Sequence, residues 1–128
     1  AGLVTTYNDQ AFIELTDTSR PALHYTFEAD LPDSPSRSPA DLPSFEVLLA
    51  KFQGGSLLDS GSIETALGTA SWAHGEFYQE DQTFSDLRIF APHPSGSGTL
   101  ILYSVVPTEA ATVEERLQTM QALLGGVS

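Results

Sequence analysis

An α+β domain, with an antiparallel β-sheet flanked by two amphipathic helices, is the fold the sequence predicts, and three observations predict it. Short runs of β-branched and aromatic residues alternate with a period of two and are separated by tight turn signals. Two stretches instead carry apolar residues at helical spacing, one mid-chain and one at the end. The strands also follow one another with short links, as antiparallel neighbours do. At 128 residues the chain has the modal size of one domain, so 1–128 reads as a single unit.

The elements are justified in order. Leu3 to Tyr7 reads as a strand, Asn8-Asp9 as its turn, and Ala11 to Leu15 as the returning strand. Asp17 to Pro21 is a second turn. Ala22 to Ala29 is a third strand, with Leu23, Tyr25 and Phe27 on one face and His24, Thr26 and Glu28 on the other. Asp30 to Pro43 holds four prolines and reads as an irregular, exposed connector. Phe45 to Phe52 reads as a helix, capped by Asp41 or Ser44 and ended by Gly54-Gly55, with Phe45, Leu48, Leu49 and Phe52 as its buried face.

Four strands follow: Ser56 to Leu67, Thr69 to Gln79, Phe84 to Ala91, and Thr99 to Val106. Glu80-Asp81-Gln82 is a hairpin turn between the second and third, and Pro92 to Gly98 a looser one after the third. Leu87 and Ile89 fall on one face, with Phe84, Arg88 and Phe90 near the other. Thr99 to Val106 is almost wholly apolar, as a central strand covered on both faces is. The last helix is marked by a capping box, with Thr112 accepting from the chain and Glu115 reaching back. Val113, Leu117, Met120 and Leu124 form its apolar stripe, and Gly125-Gly126 closes it.

Composition narrows function. The formal net charge is −12, with only five cationic residues, and those are scattered. Nucleic-acid binding needs clustered Lys and Arg, and an anionic membrane surface needs the same. Neither is expected, whereas a basic protein partner is. No apolar run approaches the ~18 residues that span a bilayer. The chain has no cysteine, which removes thiolate chemistry. It starts Ala1-Gly2 rather than Met, an expectation of trimming that fits either a cleaved secretory signal or a cloning boundary. A periplasmic or secreted location follows from the first.

Several constellations bear on chemistry. Serines and three histidines, His24, His74 and His93, are present, but no nucleophile elbow is. Gly54-Gly55-Ser56 and Ser60-Gly61-Ser62 read as turns. His74 and Glu76 lie two apart on a strand and could offer two ligands to an ion, with His24 or His93 as a third. Asp30, Asp33 and Asp41 flank the Pro-rich segment. No His-Glu-x-x-His, EF-hand, Walker or dinucleotide motif is found, so no metal, no cofactor and no enzymatic activity are expected. Trp72, His74, Glu76 and Tyr78 share one strand face, an aromatic surface beside polar groups of the kind that binds partners. These four are the candidate binding residues.

The order of three strands, helix, four-stranded meander and helix resembles the superfamily grouping PsbP, Mog1 and DcrB. The resemblance is carried by 44–128: the helix ending near Gly54, the strand pair around Leu67-Gly68-Thr69-Ala70, the apolar strand Leu100 to Val106, Pro107 and the terminal helix. The amino-terminal part departs from the pattern, since no Pro-x-x-Trp segment follows the first hairpin and Trp72 is the only tryptophan. The resemblance implies a three-layer α/β/α sandwich and a non-enzymatic binding or assembly role; the residues themselves add that such a module acts through its acidic, aromatic-bearing exterior. A small-ligand carrier or small enzyme with a pocket between helix and sheet is the alternative.

Overall fold

The computed structural model describes residues 2–9 and 12–127, with the side chains of 6–9 left aside. The strands are β1 (Leu3–Asp9), β2 (Phe12–Asp17), β3 (His24–Asp30), β4 (Gln53–Thr65), β5 (Gly68–Gln79), β6 (Gln82–Pro92) and β7 (Thr99–Pro107). Helix α1 (Leu42–Ala50) links β3 to β4, and α2 (Val113–Gly125) follows β7. All seven strands join one antiparallel sheet in the order β1-β2-β3-β7-β6-β5-β4. The connection through α1 carries the chain from the middle of the sheet to its far edge. The meander then returns β7 to pair with β3.

The period of two sorts the interior into two halves. Leu87, Ile89 and Ala91 of β6 pack with Leu100, Leu102 and Val106 of β7, Tyr25 of β3, and Met120 and Leu124 of α2. Phe90 of β6, on the opposite face, packs with Ala73 and Phe77 of β5, Ile101 of β7, and Phe45 and Leu49 of α1. The two helices therefore cover opposite faces. β7, between β3 and β6, is buried from both sides, in agreement with its apolar sequence.

Local chemistry explains the boundaries. Asp41 caps α1, its carboxylate accepting from the Ser44 amide at 2.9 Å, and Pro43 sits in the first turn, where no amide donor is needed. Thr112 caps α2 by accepting from the Glu115 amide. The reciprocal half of the capping box is replaced: the Glu115 carboxylate accepts from Arg20. Gly75 lets α1 sit close to the sheet, since a Cβ there would stand 2.4 Å from Leu49 Cδ1.

Four expectations are corrected. Asn8-Asp9 continues β1, and the link to β2 falls on Gln10 and Ala11, outside the described residues, as does Ala1. α1 ends at Ala50, before Gly54-Gly55, and both glycines lie in β4. Ser60-Gly61-Ser62 is likewise strand and not turn. β4 is an edge strand with register shifts between Gln53 and Ser56 and between Leu57 and Asp59, and bulges of this kind suit small residues.

The β5–β6 turn is a two-residue loop, with Gln79 paired to Gln82. Both loop residues are in the left-handed region, Glu80 at φ 52° and Asp81 at φ 64°. Side chains are strained there, and Asn-Gly is the preferred pair. The double change Glu80→Asn, Asp81→Gly is expected to stabilise the fold by about 1 kcal/mol. Urea melts that give an unchanged or lowered midpoint would contradict this account of the turn.

Candidate functional site

β5 and β6 pair without interruption from Ser71↔Phe90 to Gln79↔Gln82. The alternation along β5 is therefore regular, and Trp72, His74, Glu76 and Tyr78 do lie on one face, the face that carries α2. Their environments differ sharply. Trp72 is half-buried and packs against the α2-side core. His74 is buried, Glu76 is half-buried, and Tyr78 is 41% exposed. A surface made of all four side chains is thus corrected to one made of three, because His74 lies beneath α2.

His74 belongs to an interior polar network. Its Nε2 lies 2.8 Å from Ser85 Oγ. The same hydroxyl accepts from Arg116 Nη1, and Arg116 is fully buried. Arg116 also donates to Ser104 Oγ at 3.2 Å, to the Ser85 carbonyl at 3.1 Å and to the Ser104 carbonyl. Because Arg116 can only donate, the Ser85 hydroxyl keeps its proton free to give to an unprotonated His74 Nε2.

Charge and burial act together on these groups. Burial lowers the Arg116 pKa to about 10, which leaves it a cation at neutral pH. Burial lowers the pKa of His74, and the adjacent Arg116 cation lowers it further, against the opposing pull of Glu76, Asp86 and Asp59. Ser85 is itself buried and committed to Arg116, so the serine–histidine contact is a packing device enclosed beneath α2 and not a presented nucleophile.

The opposite face carries a second interior cation. Arg88 donates to both carboxylate oxygens of Asp86, at 2.8 and 3.0 Å. Its guanidinium lies 4.9 Å from the centre of the Phe45 ring and 4.5 Å from that of Tyr103, within cation–π range. Arg88 Nη1 is buried with no partner. Glu28 accepts from the Arg37 and Ser38 amides and from the Tyr103 hydroxyl, which ties the Pro-rich segment to the sheet.

The suggested ligand sets do not converge. His24 lies on the α1 side of β3, opposite Tyr25, whereas His74 faces α2. His93, in the β6–β7 turn, bonds Ser95. Asp30 accepts from the Ser36 amide and Asp41 caps α1. Among the described residues no three His, Asp or Glu side chains gather as a metal site would require.

Sequence reasoning missed Arg116 and the interior role of Arg88. The signals were there: Arg116 precedes Met120 by one helical turn, in line with Leu124, and Arg88 alternates with Phe90 on the same face. A further feature is a solvent-open groove of about 430 Å³ between the start of α1 and the sheet. Leu42, Phe90 and Pro92 line it, together with Thr69, Ser71 and Asp41.

The folded-state depression of the His74 pKa has a fixed sign in stability. The denatured chain binds a proton at the ordinary histidine value of about 6.5, and the folded chain resists it. Stability is therefore complete above that pH and declines as pH falls from about 6.5 toward the lowered folded value. NMR titration should place the His74 midpoint below that of a free histidine, and Arg116→Met, with the cation removed, should move it upward. A midpoint indifferent to Arg116 would refute the coupling.

No protein-family model matches the chain, and no curated protein sequence does. Among solved structures, protein PA94 of Pseudomonas aeruginosa, described as of unknown function, is similar at a TM-score of 0.61 and 12% identity. The similarity covers 100% of this chain and 97% of that one. At this identity the likeness is one of fold.

Proposed function

We propose that the chain is a non-enzymatic binding or assembly module whose acidic, aromatic-bearing exterior engages a basic protein. The observation that carries this reading is where the fold puts its charges. Of the five cationic residues, Arg88 and Arg116 are buried, and Arg20 bridges Asp17 and Glu115. Arg37 and Lys51 are left exposed. Of seventeen acidic residues, only Asp17, Glu28 and Asp86 are buried among the described residues. The exterior is thus more one-sidedly anionic than the composition, which favours encounter with cationic partners and disfavours phosphate backbones and anionic lipid. Tyr78 and the outer part of Trp72 supply contact area within that field.

Kinship with the PsbP, Mog1 and DcrB superfamily is part of the proposal. The element order and the placement of the helices on opposite faces of an antiparallel sheet support it, as does a three-layer sandwich description. An extracytoplasmic location goes with the same reading. Among the described residues no helix is long and apolar enough to cross a membrane.

The groove beside α1 favours a second reading, a small-ligand carrier. Its volume falls in the range of about 300–1,000 Å³ typical of small-molecule sites, but it is open to solvent and its walls, though mostly apolar, carry Asp41, Thr69, Ser71 and Thr99.

Trp72, as the only tryptophan, makes its own emission a reporter. Titration with poly-lysine should change that emission with an affinity that falls steeply as salt is raised, and poly-glutamate should leave it unchanged. Tyr78→Ala should weaken binding with little loss of stability, because Tyr78 is exposed. Trp72→Ala is expected to lose both, since the ring also packs against the core. Equal response to both polymers, or none to either, would defeat the proposal.

A further inference from the structure

We infer that the β4 edge takes up an extended, Lys- or Arg-bearing polypeptide segment as an eighth strand of the sheet. The inference rests on the acidic binding surface proposed above and names how that surface holds its partner.

The edge itself supplies the first argument. β4 is the last strand of the sheet, and among the described residues no strand pairs with its outer side; only the Glu64 carbonyl, which accepts from the Gln121 side chain, and the Ser60 amide, which donates to the Asp59 carboxylate, are engaged there. Its register shifts are confined to the Gln53–Asp59 half. From Asp59 to Thr65 it pairs continuously with β5, residue for residue, ending at Thr65↔Gly68. Exposed strand edges are ordinarily guarded by lysine, proline or bulges. This seven-residue stretch has none of the three, and Asp59, Ser60, Gly61 and Ser62 are all exposed. The remaining outward groups, centred on Ser62, can pair with an added strand, the mode in which main-chain bonds give affinity and alternate side chains give specificity.

The second argument concerns which side chains the added strand meets. The Trp72 indole lies across Gly61, with Nε1 2.9 Å and Cζ2 3.5 Å from where a Cβ on Gly61 would stand. No side chain of β4 intervenes there, so the ring reaches from β5 to the rim of the sheet. A cationic side chain on the added strand opposite Gly61 would lie beside the indole and next to Asp59. On the other face Glu64 would meet the alternate residues.

Charge selects the occupant. From Gln53 to Asp81 the chain carries Asp59, Glu64, Glu76, Glu80 and Asp81, and no Lys or Arg. A second copy of the chain would set acid against acid along the same edge, in a pair of molecules that each carry −12. A basic segment meets the opposite sign at Asp59 and Glu64 and no like charge along the stretch.

The test uses the full chain and a labelled ten-residue peptide of alternating Lys and Thr. Binding is read by anisotropy and by Trp72 emission, and amide hydrogen exchange is followed across β4. The peptide should bind and slow exchange at the outward amides of Asp59–Thr65. The same peptide with alternate amides N-methylated should bind at least about tenfold more weakly, its charge being unchanged. Ser60→Lys with Ser62→Lys, both at exposed sites on the edge, should cost at least about tenfold. Val47→Lys with Ala50→Lys, on the exposed side of α1, makes the same change in net charge and should cost much less. Equal binding of the N-methylated peptide, equal loss in the two double variants, or unchanged exchange at β4 would overturn strand addition and leave the acidic surface standing. Failure of both peptides to bind would overturn the surface as well.

Discussion

The seating of α2 depends on Arg116, whose guanidinium is enclosed between helix and sheet with no carboxylate at ion-pair distance among the described residues. Two serine hydroxyls and two backbone carbonyls of β6 and β7 accept from it instead. A buried charge is tolerable only when its donors are well satisfied. That requirement fixes where along β6 and β7 the helix can sit. Met120 and Leu124 then enter the core one and two turns farther on. The ends are tied as well, by Glu115 to Arg20 and by the Gln121 amide to the Glu64 carbonyl. Held at these points, α2 runs from the β2–β3 turn to the carboxy-terminal end of β4, and the corner formed by the start of β4 and the end of β5 lies off its path.

Placing cations inside changes the outside. With Arg116 on one face of the sheet and Arg88 on the other, two positive charges are withdrawn from a chain that has few. Arg88 is compensated by Asp86, but Arg116 takes no acid inside with it. Few cations are left outside to offset the acids there, so the exterior is dominated by one sign of charge. His74 records the same economy of charge. Its burial and the neighbouring Arg116 cation both disfavour a second positive charge there.

Much of this fold was legible in the sequence. The seven strands, two helices and antiparallel order follow from periodicity and turn chemistry, and Asp41, Thr112 and the faces of β3 and β6 followed from local rules. The errors share a cause. Gly54-Gly55 and Ser60-Gly61-Ser62 carry turn composition, but an edge strand has one neighbour and tolerates small residues that a central strand would not. Arg116 lies in line with Met120 and Leu124, but its acceptors on β6 and β7, which let a charge be buried there, come together only in the fold. For the candidate site, alternation placed Trp72, His74, Glu76 and Tyr78 on one face correctly. It could not say which part of that face a later helix would cover. The His74–Ser85 contact is diagonal, since His74 is opposite Leu87 and Ser85 opposite Glu76, and such a pairing exists only once the register is known.

The bare corner persists because the strands beneath it are supported from the other side. α1 and the residue pair after it pack against β4 and β5 there, with Leu49 of α1 against Gly75 and Phe52, just beyond the helix, stacked on Phe77, ring centres 4.3 Å apart. An antiparallel sheet needs apolar cover on one face only, so these strands stay in place while their second face meets water. Trp72 then serves two ends. Its inner part closes the α2-side core, and its outer part spans Gly61, standing in for the side chain that the edge strand lacks. The same omission that lets the ring lie flat leaves the main chain of β4 open beside it. Packing on one face thus permits exposure on the other, where Tyr78, half-buried Glu76 and the rim of Trp72 lie within an acidic surface.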